Sequence, residues 1–67
     1  MSVAKVIELS AVSSKSFEDA VASGIKRAAK TMKNVEGAWI KEQKVQVKNG
    51  KIVAYRVNMN VTFILED

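Results

Sequence analysis

The chain has 67 residues with 0 Cys, 0 His and 0 Pro, which excludes disulfides, zinc sites built on Cys or His, thiol nucleophiles and His-based triads. Its 11 Lys and Arg against 7 Asp and Glu leave a formal charge of +4, which allows weak steering of an anionic partner and is equally the balance of a solvated basic surface. The hydrophobic share of 48% is too high for a disordered chain, yet no apolar run approaches the roughly 18 residues of a membrane span.

The first residues, Met1-Ser2-Val3-Ala4-Lys5, lack the basic-then-apolar layout of a signal peptide, so a cytoplasmic protein with no membrane partner is expected. Residues 3–12 are rich in β-branched and aliphatic side chains, with Val3, Ile7 and Leu9 on one parity, and read as a strand. A serine cluster follows, Ser10, Ser13, Ser14 and Ser16. These serines have no base partner for nucleophilic work, and Ser13 or Ser14 is the expected helix N-cap. Phe17, Ala20, Val21, Gly24, Ile25, Ala28, Ala29 and Met32 then recur at helical spacing, predicting a helix over 14–33. Acidic Glu18 and Asp19 suit its start, and Lys26, Arg27, Lys30 and Lys33 suit its end. Gly24 weakens a helix by about 1 kcal/mol relative to Ala, and close backbone approach is the expected return.

Asn34 to Gly37 reads as a turn, 38–48 as a second strand, Asn49-Gly50 as a type I′ hairpin turn and 51–65 as a third strand. The third strand alternates cleanly: Val53, Tyr55, Val57, Met59, Val61, Phe63 and Leu65 on one face, Arg56, Asn58, Asn60 and Thr62 on the other. The second strand changes phase, with Ala38 and Ile40 on one parity and Val45 and Val47 on the other, which predicts a β-bulge near Lys41–Lys44. A two-residue turn pairs Lys48 with Lys51, and hence Ile40 with Met59, Ala38 with Val61 and Trp39 with Asn60. Trp39 is thereby placed on an outer face beside Lys41, Gln43, Arg56 and Asn58.

A helix of about 20 residues spans about 30 Å, whereas a strand of about 14 runs about 46 Å. The helix is therefore too short to cover its sheet, and the end at Val61, Phe63 and Leu65 is expected to overhang. Three strands also leave two open edges. The expected architecture is α+β, one β-α-β-β domain over 1–67, a three-stranded antiparallel sheet wrapped on one long helix. Its bare surfaces are to be closed by symmetric self-assembly, the support left to a small chain without disulfides or metal.

At this point the chain resembles the dodecin family. Lys5-Val6-Ile7-Glu8-Leu9 is similar to its first strand, Ser13 through Phe17 leading into Ala20 to its helix start, and Arg27-Ala28-Ala29-Lys30-Thr31 to its mid-helix motif. Tyr55-Arg56-Val57 and Val61-Thr62-Phe63-Ile64-Leu65-Glu66 are similar to its third strand and ending. The similarity covers nearly the whole chain. It implies a hollow dodecamer with a non-enzymatic role, storing and quenching flavins such as riboflavin, FMN or FAD. Two positions depart from the flavin-binding members. Gly37 stands where they place a stacking Trp, with Trp39 two residues on, and Arg56 stands where they place a flavin-contacting Gln. Dodecins without the Trp are associated with other ligands or ions, which makes a flavin-free shell binding another ligand or calcium the alternative.

The candidate ligand-binding residues are accordingly Trp39, Arg56, Gln43, Lys41, Asn58 and Gly37. Trp39 serves either as a relocated stacking platform or as an anchor of a subunit interface. Arg56 pairs either with a phosphate or carboxylate through its planar fork or with Glu42 or Glu36 across subunits. No metal site is expected from one chain, because the acidic pairs Glu18–Asp19 and Glu66–Asp67 cannot alone supply the six to eight oxygens that calcium takes. Nucleic acid is not an expected partner, since aromatic residues make up 6% and do not interleave with the basic ones. Without His, Cys or a convincing carboxylate pair, an enzyme is not expected.

Overall fold

The structure, a computed structural model, describes residues 2–66. Its elements run β1 (Ala4–Ser13), α1 (Phe17–Thr31), β2 (Val35–Lys48) and β3 (Lys51–Ile64). The sheet is antiparallel in the order β1-β3-β2. The expected α+β, β-α-β-β architecture is thus the one found. β3, the strand with the cleanest alternation, lies in the centre, where both edges are paired and one face is covered.

The core is the contact between α1 and the middle of β1 and β3. Ile7, Leu9 and Ala11 stand opposite Val61, Met59 and Val57. Those three β3 side chains and Ala20 of α1 are fully buried, with Phe17, Val21 and Ile25 packed around them. Phe17 also meets Tyr55 edge to face, with ring centroids 5.2 Å apart. Gly24 lies where α1 crosses the sheet. A Cβ there would overlap the methyl end of Met59 and come within 3.1 Å of Ala11 Cβ, so the glycine permits the expected close approach. Ala29, expected in the buried stripe, is exposed, because α1 presents a narrower face than its apolar pattern allows.

The helix is shorter than expected at both ends. Its N-cap is Ser16, with an extended backbone and a side chain that accepts from the Asp19 N–H at 2.9 Å. Ser13, one of the two expected caps, instead folds the approach: its Oγ accepts from the Lys15 N–H at 2.9 Å and donates to Asp19 at 2.6 Å. Ser14 takes neither role, because the chain stays non-helical up to Ser16. At the other end Met32 is already extended, and Asn34 takes a positive φ of 61°. Asn34 then ties the last strand down, donating to Glu66 Oε1 at 2.7 Å and accepting from the Ile64 N–H at 3.0 Å.

β2 begins at Val35, so the segment expected as a turn up to Gly37 is already paired. The hairpin turns at Asn49-Gly50, both with positive φ, as a type I′ turn requires. Three irregularities interrupt the β2–β3 register, leaving Glu36, Lys41 and Val53 without opposite partners. The bulge at Lys41 is the expected one. The bulge at Val53, on the partner strand, offsets it, so Lys48–Lys51, Ile40–Met59, Trp39–Asn60 and Ala38–Val61 pair as the turn dictates. Between the two bulges the register is displaced by one residue.

Of the end expected to overhang, Leu65 is 47% exposed, but Phe63 is half-buried, and the larger overhang lies at the opposite end. Val61 is fully buried, whereas the hairpin tip is bare, with Val47 57% and Ile52 51% exposed and Val45 and Val53 exposed beside them. The reason is direction: α1 starts beside Tyr55 and runs toward the Val61 end, so the segment beyond Tyr55 has no helix over it. Ile40 faces the helix side opposite Met59 yet is exposed, because β2 is an edge strand that α1 barely reaches. A groove of about 540 Å³ also stays open between α1 and β1, floored by Ile7, Leu9, Gly24, Ala28 and Met32. Among the described residues, no helix is long and apolar enough to cross a membrane.

The two serines separate by stability. Ser16→Ala is expected to cost about 1 kcal/mol through loss of the cap, and Ser14→Ala to stay within about 0.5 kcal/mol. Denaturant unfolding of the two variants checks this; equal losses would mean that Ser16 is not the cap.

Candidate functional site

Packing takes the middle of the sheet's helix side, and the outer face carries most of the polar groups. Alternation puts Asn60, Asn58 and Arg56 of β3 there, with Glu8 and Ser10 of β1 opposite the first two. β2 contributes Gly37 and Trp39, opposite Thr62 and Asn60. Past the Lys41 bulge it contributes Glu42 and Lys44, opposite Asn58 and Arg56. The six sequence-derived candidates therefore divide. Gly37, Trp39, Lys41, Arg56 and Asn58 share the outer face. Gln43 does not: the bulge places it opposite buried Val57, on the helix side. Glu8, Ser10 and Lys44 join the face without having been expected there. Alternation alone marked Glu8 and Ser10, but the extra residue at Lys41 hid Lys44.

The side chains on this face interlock. Lys41 Nζ reaches across to Glu8 Oε1 at 3.2 Å. Asn58 Nδ2 donates to Glu42 Oε1 at 2.6 Å, and Lys44 Nζ lies 3.7 Å from the same oxygen. Arg56 Nη1 donates to Ser10 Oγ at 2.8 Å and forms no ion pair among the described residues. These contacts are exposed to solvent and screened, so they orient the face more than they stabilise the fold. The Glu42 carboxyl is held below the ordinary glutamate value, first by the hydrogen bond from Asn58 and then by the charge of Lys44.

Trp39 stands apart from this network, with 51% of its surface open to solvent. Gly37, two residues away on the same face, has no atom within 4 Å of where a Cβ would be. Together they present an exposed aromatic ring beside a glycine whose Cβ position is open, a shelf at the level of the backbone. Among the described residues no group of three or more acidic, His or Cys side chains gathers to hold a metal.

The fold is thus a small β-α-β-β unit whose helix covers the middle of one sheet face and whose other face carries an interlocked set of polar side chains. Residues 3–66 match the dodecin family model, and the chain belongs to the dodecin family. It is 33% identical over 63 residues to the calcium dodecin of Mycobacterium tuberculosis, covering 94% of this chain and 89% of that one. A solved structure of the calcium-chelating M. tuberculosis protein, described with a novel calcium-binding site, superposes with a TM-score of 0.82 at 34% identity, covering 96% of this chain and 91% of that one. A single-substitution variant of the Thermus thermophilus dodecin superposes with a TM-score of 0.94 at 28% identity, covering 100% of both chains. The family is one of small binding and storage proteins that self-associate.

Removing the Asn58 amide removes the first cause of the Glu42 shift. In Asn58→Ala the Glu42 titration is expected to move up toward the ordinary glutamate value, read by carboxyl carbon NMR. Because the folded value is the lowered one, the contribution it makes is present above the unfolded value and lost as pH falls through the folded one. For so exposed a group, global stability should not change measurably.

Proposed function

We propose that this chain is the subunit of a self-assembled, non-enzymatic shell that binds and stores a planar aromatic ligand on the outer face of its sheet. Flavins (riboflavin, FMN or FAD) are the leading class. The observation that carries the reading is the half-exposed Trp39 ring standing on the same face as the open shelf at Gly37. A large aromatic surface left in water gains by covering a flat ring, and an empty shelf leaves room for it. Lys41, Asn58 and Arg56 supply the polar margin that orients a ligand. Gln43, on the other face, takes no part. Self-assembly follows from the bare hairpin and the open groove along β1, which one protomer has no means to cover.

A second reading, a calcium-holding shell, is favoured by the likeness to the calcium dodecin. With no acidic group of three in one protomer, its oxygens would have to converge from several subunits about a symmetry axis.

Titration into riboflavin and FMN, following flavin fluorescence, with particle mass by light scattering, tests the first reading. Saturable quenching by an assembled particle is expected. Trp39→Ala should weaken it by roughly tenfold or more, as loss of an aromatic stacking partner does. Gly37→Trp, whose Cβ would have no atom within 4 Å, should strengthen it by adding a second ring on the same face. Assembly without quenching, but with saturable calcium binding by calorimetry, would replace it with the second reading.

A further inference from the structure

The charges of α1 are sorted along its length. Both of its acids, Glu18 and Asp19, stand in the first turn. From Ala20 to Val35 the chain then carries Lys26, Arg27, Lys30 and Lys33 and no acid. All four cations are exposed. The ion pairs among the described residues, Lys41 with Glu8 and Lys44 with Glu42, lie on the outer face of the sheet, so none of them engages a helix cation. The helix dipole accounts for Lys30, the basic residue of the last turn, but its influence fades beyond that turn. Lys26 and Arg27 lie earlier, and each repels Lys30 from the turn before it. The helix therefore carries a pattern of like charges that destabilises it, and no carboxylate contact among the described residues offsets this.

The neighbouring side chains narrow the partner. Ala22, Ser23 and Ala29 are exposed on the same helix, and no aromatic or large apolar side chain of α1 is exposed. Such a surface offers a protein partner no anchor and a nucleobase no ring to stack on. Arg27 lines the groove along β1, which leaves lysines to carry the open face. A lysine acts as a point charge and imposes no fixed fork geometry on what it meets. We infer that Lys26, Lys30 and Lys33 form a docking strip for an inorganic polyphosphate chain. Lys26 and Lys30 are about 6 Å apart along the helix axis, and a flexible, ringless chain with a charge on every unit meets both at once. Its oxygens turn the repulsion between the lysines into charge-assisted contacts. Assembly through the bare hairpin and the groove leaves the strip open to solvent, and every copy repeats it. A long chain crossing several copies gains from each, whereas orthophosphate meets one. The inference takes only self-assembly from the function proposed above, and flavin binding has no part in it.

The assembled protein is titrated into end-labelled polyphosphate, followed by fluorescence anisotropy at several salt concentrations, with particle mass from light scattering. Orthophosphate and a mixed-sequence single-stranded DNA serve as competitors. Binding should saturate and weaken steeply with salt. Lys26→Gln combined with Lys30→Gln should weaken it by roughly tenfold or more, whereas Lys5→Gln combined with Lys15→Gln, which removes the same charge elsewhere, should leave it within about twofold. Orthophosphate at equal phosphate concentration should not compete. Polyphosphate should also raise the thermal midpoint of the unmodified protein and not that of the Lys26 and Lys30 variant. Absence of saturable binding would overturn the strip, and so would equal losses in the two double variants, since net charge alone would then explain the binding. Effective competition by DNA at equal charge would overturn polyphosphate as the partner. If light scattering finds single chains, the shell fails, while a loss of binding confined to the Lys26 and Lys30 variant still upholds the strip.

Discussion

A helix of 15 residues rises about 22 Å, while the 14-residue strands of the hairpin run about 46 Å. Everything else in this molecule accommodates that mismatch. The helix can bury Val57, Met59 and Val61 and little more, so the tip beyond Tyr55 projects with Val45, Val47, Ile52 and Val53 in water. Lengthening the helix is blocked at both ends, by the Ser13–Ser16 turn and by the left-handed Asn34. A longest dimension of 52 Å against a shortest of 13 Å describes a ribbon stiffened at one end. Such a ribbon buries its apolar surface only against other copies, which accords with a family of self-associating proteins.

Because the helix takes one side of the sheet, the other side is left to chemistry. The close approach at Gly24 sharpens this division: α1 sits directly on Met59 and Ala11, and the space that remains at the helix is the open groove along β1. The outer face carries side chains that reach across strands, from Lys41 over β3 to Glu8 and from Arg56 to Ser10 on the neighbouring strand. It is a surface organised laterally, with Trp39 at one end and Lys44 opposite Arg56 at the other. The bulges matter here because each turns a hydrogen-bonding defect into a choice of which side chain faces outward. Gln43 and Lys44 exchange places by one residue of slip, and with them a neutral amide and a charge.

The likeness to the calcium dodecin and the likeness to a thermophilic dodecin concern the same fold, and neither transfers a ligand by itself. What separates the ligand classes is local. A flat ring needs an exposed aromatic, and one protomer leaves Trp39 half in solvent beside Gly37. Calcium needs several oxygens at one point, which the described residues of one protomer do not bring together.

Much of this was legible in the residues because local rules decide it. Strand alternation, helical spacing and the Asn-Gly turn each depend on neighbours within a few positions, so the order of elements, the hairpin and the outward Trp39 follow from the chain alone. The cap was misplaced among four serines because any of them can accept the same hydrogen bond; the backbone path decides, and it favours Ser16. The overhang was expected at the Leu65 end alone, and the larger one at the hairpin tip was missed, because length shows that a helix is too short but not which way it lies. Above all, one visible phase change predicted one bulge, while the compensating bulge at Val53 leaves no mark in a strand whose alternation looks unbroken. Sequence by itself determined which residues have an apolar face to hide. Tertiary structure alone decided which of them are hidden and which charges meet across the sheet, because cross-strand register is a contact between segments and not a property of either one.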